Sequence, residues 1–135
     1  MATASTILLV DDYRDALDVW ELYLCAEGFK VLTASSGHEA LESATAALPD
    51  MVVMDLQLPD VSGFDVAREL RSRAATRHIP LIAATGYSHA VQLDEARQSG
   101  FDSVIVKPCD PEALVAEIRR LLASTDTRPP ALAEQ

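Results

Sequence analysis

Apolar positions in this chain fall into two kinds of pattern that take turns along it. Short, mostly apolar runs come first: STILLV at 5–10, KVLTA at 30–34, MVVMD at 51–55, IPLIAA at 79–84 and SVIV at 103–106. Between them the spacing changes to the helical period. Leu17, Trp20 and Leu24 mark one face of a helix over 13–27 that Gly28 stops. Ser36 with Glu39 three residues on reads as a capping box, and Leu41, Ala44 and Leu48 follow as a helical face. Val66, Ala67 and Leu70 place a third helix over 64–74, and a fourth over 88–99 is closed by Gly100. Asp110 caps a fifth with Pro111 at its first position, and Leu114, Ile118 and Leu121 point inward. Five strands alternating with five helices predict an α/β fold. Runs with so little polar alternation predict a parallel sheet covered by helices on both faces.

Length and composition narrow this to one domain. The 135 residues are 49% apolar and 24% charged, enough for a hydrophobic core. The expected domain spans 5–123, and 124–135, where the period is lost, reads as a flexible tail. A net charge of −10 argues against nucleic acid as a partner, because phosphate contacts require clustered Lys and Arg. No basic leader followed by an apolar segment opens the chain and no long apolar stretch follows, so neither signal peptide nor membrane span is expected; the location expected is cytoplasmic. Cys25 and Cys109 show no metal-type spacing, and Cys25 reads as a small core residue. Arg68, Arg71, Arg73, Arg77 and His78 form the one basic cluster and read as a solvated helix face. Trp20 reads as packing of the first helix.

The chemistry lies where the strands end. In an open parallel sheet, ligands gather outside the carboxyl ends of the strands. Asp11 and Asp12 follow the first strand, Asp55 the third, Thr85 the fourth and Lys107 the fifth. Asp11–Asp12 alone could be a helix cap, and Lys107, one of only two lysines, could be a surface residue before a turn. Asp55 resists so bland a reading, since a carboxylate closing a core strand is costly to desolvate without a partner. Three carboxylates brought together repel one another, and a hard divalent cation such as Mg²⁺ relieves that. A carboxylate at such a metal is a nucleophile toward a phosphoryl group, with a lysine and a hydroxyl placed to meet the developing charge.

The ordered motifs LLVDD, VVMDLQLPDVSG, IAATG and VIVKP resemble the receiver domain of two-component response regulators. The resemblance implies a five-stranded, doubly wound, flavodoxin-like sheet of order 2-1-3-4-5. It implies Asp55 as phospho-acceptor, with Asp12 as direct Mg²⁺ ligand and Asp11 acting through water. It further implies that the Gln57 backbone carbonyl ligates the metal, that Thr85 is the switch hydroxyl and that Lys107 is the paired cation. Pro108 matches a proline commonly preceded by a cis peptide, and Pro59 and Gly63 match the loop after the acceptor. Tyr87 and Gln57 match positions that tune water access to the site. One position departs: many receivers carry an aromatic three residues before the lysine, where this chain has Val104, so the signal is expected to travel by loop and helix shifts.

The partners implied are a histidine kinase or histidine phosphotransfer protein as donor, docking near the first helix, and a downstream protein effector. Output by protein contact, relay or homodimerisation is expected, with no nucleic acid and no membrane. Met1 and the polar tail favour a free-standing regulator over a piece of a hybrid sensor kinase. Two other classes fit less well. An aspartate-nucleophile phosphatase uses a second acid two residues after the nucleophile, where this chain has Gln57. A flavin-binding module needs a Ser/Thr/Gly-rich loop after strand one, where this chain has DDYRD, whose charge repels phosphate. The expectation is therefore a signalling domain and not an enzyme in its own right, beyond its own phosphoryl transfer and dephosphorylation.

Overall fold

The computed structural model describes residues 4–86, 90–107 and 110–127. Its elements alternate as β1 (Thr6–Val10), α1 (Arg14–Ala26), β2 (Lys30–Ala34), α2 (Gly37–Ala47), β3 (Met51–Met54), α3 (Gly63–Ser72), β4 (Leu81–Thr85), α4 (Ala90–Gln98), β5 (Ser103–Val106) and α5 (Pro111–Thr127). All five strands are parallel, in the order β2-β1-β3-β4-β5. That is the doubly wound arrangement expected from the sequence.

The sheet separates two cores. On one face, Leu8, Val52, Met54 and Leu81 pack with Ala40 and Ala44 of α2, Val66 and Leu70 of α3, and Ala96 of α4. On the other, Ile7, Leu9, Val53 and Ile82 pack with Leu17 and Leu24 of α1 and with Leu114 and Ile118 of α5. Successive strand residues feed opposite cores, which is why the central runs have no polar positions. Trp20 packs against the second core, as expected. Among the described residues, no helix is long and apolar enough to cross a membrane.

Local differences from the sequence reading have local causes. The edge strands β2 and β5 are only partly covered, so Lys30 and Leu32 of β2 are exposed. β4 starts at Leu81, because residues up to Ile79 turn through a Thr76–Ile79 hydrogen bond and Pro80 has no N–H to offer the ladder. Leu48 does not continue the α2 stripe: it caps the helix in the left-handed region (φ 49°) before Pro49, and its side chain is exposed. Cys25 is not a core residue. It follows Leu24, which turns inward, and so projects about 100° away into solvent. α5 runs on to Thr127, past the expected boundary at 123, because Ser124–Thr127 contain neither glycine nor proline.

Candidate functional site

Register brings the candidate residues to one edge. Val10 pairs with Met54, so Asp11 and Asp55 leave neighbouring strands at the same level. The Asp55 N–H donates to the Val10 carbonyl at 2.9 Å, and the Asp11 N–H to that of Ala34 at 3.1 Å. Thr85 pairs with Val106, and the Lys107 N–H donates to the Thr85 carbonyl at 2.7 Å. Thr85 is fully buried at this edge.

The Lys107 ammonium donates to Asp11 Oδ2 at 2.8 Å and to Asp55 Oδ2 at 3.3 Å. The other oxygen of each acid accepts a backbone N–H: Tyr13 donates to Asp11 Oδ1 and Gln57 to Asp55 Oδ1, both at 3.0 Å. Burial pushes the Lys107 ammonium down. The hydrogen bond to Asp11 and the charges of Asp55 and Asp11 outweigh that and hold it above the usual lysine range. Asp12 is exposed, and one oxygen each from Asp11, Asp12 and Asp55 lie within 4.8 Å of one another. This convergent set of hard oxygen donors fits a divalent cation such as Mg²⁺. Beneath it, Leu9, Leu17, Trp20, Val53, Ala84 and Leu114 wall a cavity of about 20 Å³, which also borders Asp11, Asp55 and Lys107.

The loop after Asp55 is held from two sides. Gly63, the first residue of α3, donates its N–H to the Leu56 carbonyl at 2.9 Å. A Cβ there would fall 2.6 Å from the Asp55 carbonyl oxygen and 2.8 Å from Leu56 Cα, so only glycine lets α3 start this close. Asp60 reaches back to the start of α2. Its carboxylate accepts the N–H groups of Gly37 and Val61 at 2.8 Å and of His38 at 2.9 Å, and lies 2.6 Å from His38 Nδ1. The His38 N–H, with those of Gly37 and Val61, holds Asp60 well below the usual carboxylate range. Gly37 permits the approach, since a Cβ there would overlap Val61 and crowd Asp60. This clasp was missed in the sequence. The available signal was an acid in the loop after Asp55 together with a glycine at a helix start.

Of the site residues expected, Asp11, Asp12, Asp55 and Lys107 converge directly. Thr85 joins them through the Lys107 backbone, and Gln57 through its N–H to Asp55. Val104 packs partly buried against the first core. Tyr87 and Pro108 lie outside the described residues.

The family model of the response regulator receiver domain matches residues 7–119. The response regulator PleD of Caulobacter vibrioides is 35% identical over 118 residues, which cover 87% of this chain and 26% of PleD. The polar-differentiation response regulator DivK of Brucella ovis is 32% identical over 117 residues, covering 87% of this chain and 95% of DivK. The chain thus spans about a quarter of PleD but nearly all of DivK. Among solved structures, the chemotaxis response regulator CheY4 of Vibrio cholerae superposes with a TM-score of 0.83 at 28% identity, covering 88% of this chain and 99% of that one. The receiver domain of the Pseudomonas aeruginosa sensor histidine kinase PA1611, solved with magnesium in its active-site cleft, superposes with a TM-score of 0.84 at 28% identity, covering 90% of this chain and 99% of that one.

Proposed function

The chain belongs to the response regulator receiver domain family, and on that premise we propose that Asp55 accepts a phosphoryl group from the phosphohistidine of a kinase or phosphotransfer protein. The observation that carries the reading is the single lysine amine shared by Asp11 and Asp55, with Asp12 in the same cluster. An Asp55 carboxylate oxygen attacks phosphorus, a P–O bond forms as the P–N bond breaks, and the imidazole leaves with the electron pair. Asp11, Asp12 and Asp55, with the Gln57 carbonyl, would hold Mg²⁺, which supplies charge neutralisation for the incoming phosphoryl oxygens. Lys107 is already within reach of Asp55 Oδ2 and exchanges its carboxylate partner for the new anion.

Phosphorylation brings a charge of about −1.5 to −2 by analogy with phosphate monoesters. The buried Thr85 hydroxyl and the Lys107 ammonium are drawn toward it. Because the Lys107 N–H is bonded to the Thr85 carbonyl, their movement shifts β4 and β5 together. Val104 sits where an aromatic rotamer would otherwise report the change, so the surface responds through the backbone of β5 and the helices beside it. The altered face changes affinity for an effector protein or relays the phosphoryl group onward. On α1, Val19 and Leu22 are 63% and 75% exposed, an apolar strip suited to a helical donor domain.

The test is labelling by a small acyl phosphate with Mg²⁺, read by intact mass. One phosphoryl group should be added, stable to acid and labile to hydroxylamine, and absent in Asp55→Asn. Undiminished labelling in that variant, or none in the parent protein, would overturn the reading. Turnover of a phosphomonoester without a labelled intermediate would favour a phosphatase, for which Gln57 offers no general acid.

A further inference from the structure

Most basic side chains in this acidic molecule are neutralised nearby. Arg14 faces Asp18, Arg68 faces Asp65 and Glu95, Arg71 faces Asp102, Arg73 faces Glu69, Arg119 faces Glu27 and Arg120 faces Glu117. Lys107 belongs to the acid cluster. Among the described residues, the Lys and Arg side chains with no carboxylate within 4.0 Å are Lys30, Arg77 and Arg97. Lys30 stands on the edge strand β2. Arg77 and Arg97 line one cavity of about 370 Å³, together with His78.

This cavity sits at the opposite edge of the sheet from the acids. Pro80 and Asp102, which immediately precede β4 and β5, border it, and Phe101 and Leu121 add an apolar wall. Its floor is the Arg71 guanidinium, whose donors are all engaged: Nε and Nη2 reach the Gly100 carbonyl at 2.9 and 2.7 Å, and Nη1 reaches those of Arg77 and Ile79 at 2.6 and 2.8 Å. Nη2 also reaches Asp102 Oδ2 at 2.8 Å, and that oxygen takes the Leu81 N–H at 2.8 Å as well. The carbonyls are thereby occupied, and Asp102, the one carboxylate bordering the cavity, has its charge paired with Arg71 through Oδ2. What remains facing the cavity is the uncompensated charge of Arg77 and Arg97.

We infer that this cavity binds a small anion carrying two or more phosphoryl groups. Guanidinium forks match phosphate oxygens bidentately, and two of them favour a ligand with more than one anionic group. A cavity of this size suits a small molecule, and the Pro80, Phe101 and Leu121 wall offers its less polar part a surface.

The experiment is calorimetric titration of the full chain with inorganic pyrophosphate in metal-free buffer, so that Mg²⁺ chelation does not contribute. Saturable one-to-one binding is expected. In Arg77→Ala/Arg97→Ala it should weaken by at least about tenfold, since each charge-assisted hydrogen bond commonly accounts for that factor. Both side chains are exposed, so the double variant should keep the parent melting temperature. Arg120→Ala, which removes an arginine from α5 that pairs with Glu117, should bind like the parent. Equal affinity in the double variant, equal loss in Arg120→Ala, or no saturation below about 1 mM would each overturn the assignment. None of these outcomes bears on the acid cluster, whose labelling is read separately.

Discussion

Replacing Gly63 by alanine sets two effects against each other, and the structure decides between them. Alanine is favoured over glycine within a helix by up to about 1 kcal/mol. The added methyl, however, would lie 2.6 Å from the Asp55 carbonyl oxygen and 2.8 Å from Leu56 Cα. Ordinary contact begins near 3.4 Å, so the shortfall is roughly 0.6–0.8 Å. Both neighbours are backbone and cannot swing aside. Overpacking of this kind costs about 1–3 kcal/mol, which exceeds the helical gain. A net loss of about 1–2 kcal/mol should lower the melting temperature by about 4–8 °C. The displaced atoms belong to Asp55, the proposed acceptor, so it should label about tenfold more slowly with acyl phosphate, given that a 1 Å misplacement can cost about a hundredfold. Ser62→Ala is the control. It removes the α3 cap, whose hydroxyl accepts the Asp65 N–H at 3.2 Å, and should cost about 1 kcal/mol without slowing labelling. If Gly63→Ala melts at or above the parent temperature, or if both variants slow labelling equally, the close approach does not position the acceptor.

Two further outcomes are expected. Asp60 has its folded-state pKa depressed, so its contribution to stability is present above the ordinary carboxylate value near 3.8 and is lost as pH falls through the lower folded value. Asp60→Asn should therefore be destabilised at neutral pH by an amount that shrinks toward pH about 3, measured by denaturant midpoints; a pH-independent difference would show that the clasp does not depend on charge. Lys107→Ala leaves Asp11, Asp12 and Asp55 facing one another and should cost about 1–3 kcal/mol in metal-free buffer, less than a fully buried pair because the lysine is partly exposed. Adding Mg²⁺ should then raise its melting temperature more than the parent's, and an equal rise would deny that the lysine and the metal relieve the same repulsion.

What could be read from the sequence was whatever depended on period and position along the chain. The short runs rich in apolar and β-branched residues located β2 and β5 to the residue, although as edge strands they are only partly covered. Asp11, Asp12, Asp55 and Lys107 were legible because a parallel sheet sends all its strand ends to one edge. Contacts across long sequence separations were not legible. Arg71 read as part of a solvated face, yet its guanidinium is largely enclosed and ties α3 to the turn before β5. Arg68 and Arg73 do pair along the helix surface, as that reading implies. Asp60 lies only five residues beyond Asp55, but its partners are backbone groups of α2, and backbone donors leave no trace in the identity of the residues that supply them.

The way each carboxylate is satisfied separates those that hold the structure from those that can do chemistry. An ionised carboxylate offers about four acceptor sites. Asp60 fills them with the His38 ring and three backbone N–H groups, and those three cannot leave without unpinning α2 or the loop after Asp55. Asp11 and Asp55 each take one backbone N–H and a share of one lysine amine. Asp12 is solvent-facing and accepts no hydrogen bond from a described side chain or N–H. Among these four aspartates, spare acceptor capacity thus lies with the three that converge within 4.8 Å, and the donor shared by Asp11 and Asp55 is an ammonium on a flexible stem. A cation can enter there and Asp55 can form a new bond with no backbone hydrogen bond broken, whereas the same events at Asp60 would dismantle the loop. Aspartates in adjacent turns of one chain are divided between scaffold and reaction by whether their donors are fixed to the backbone or free to move.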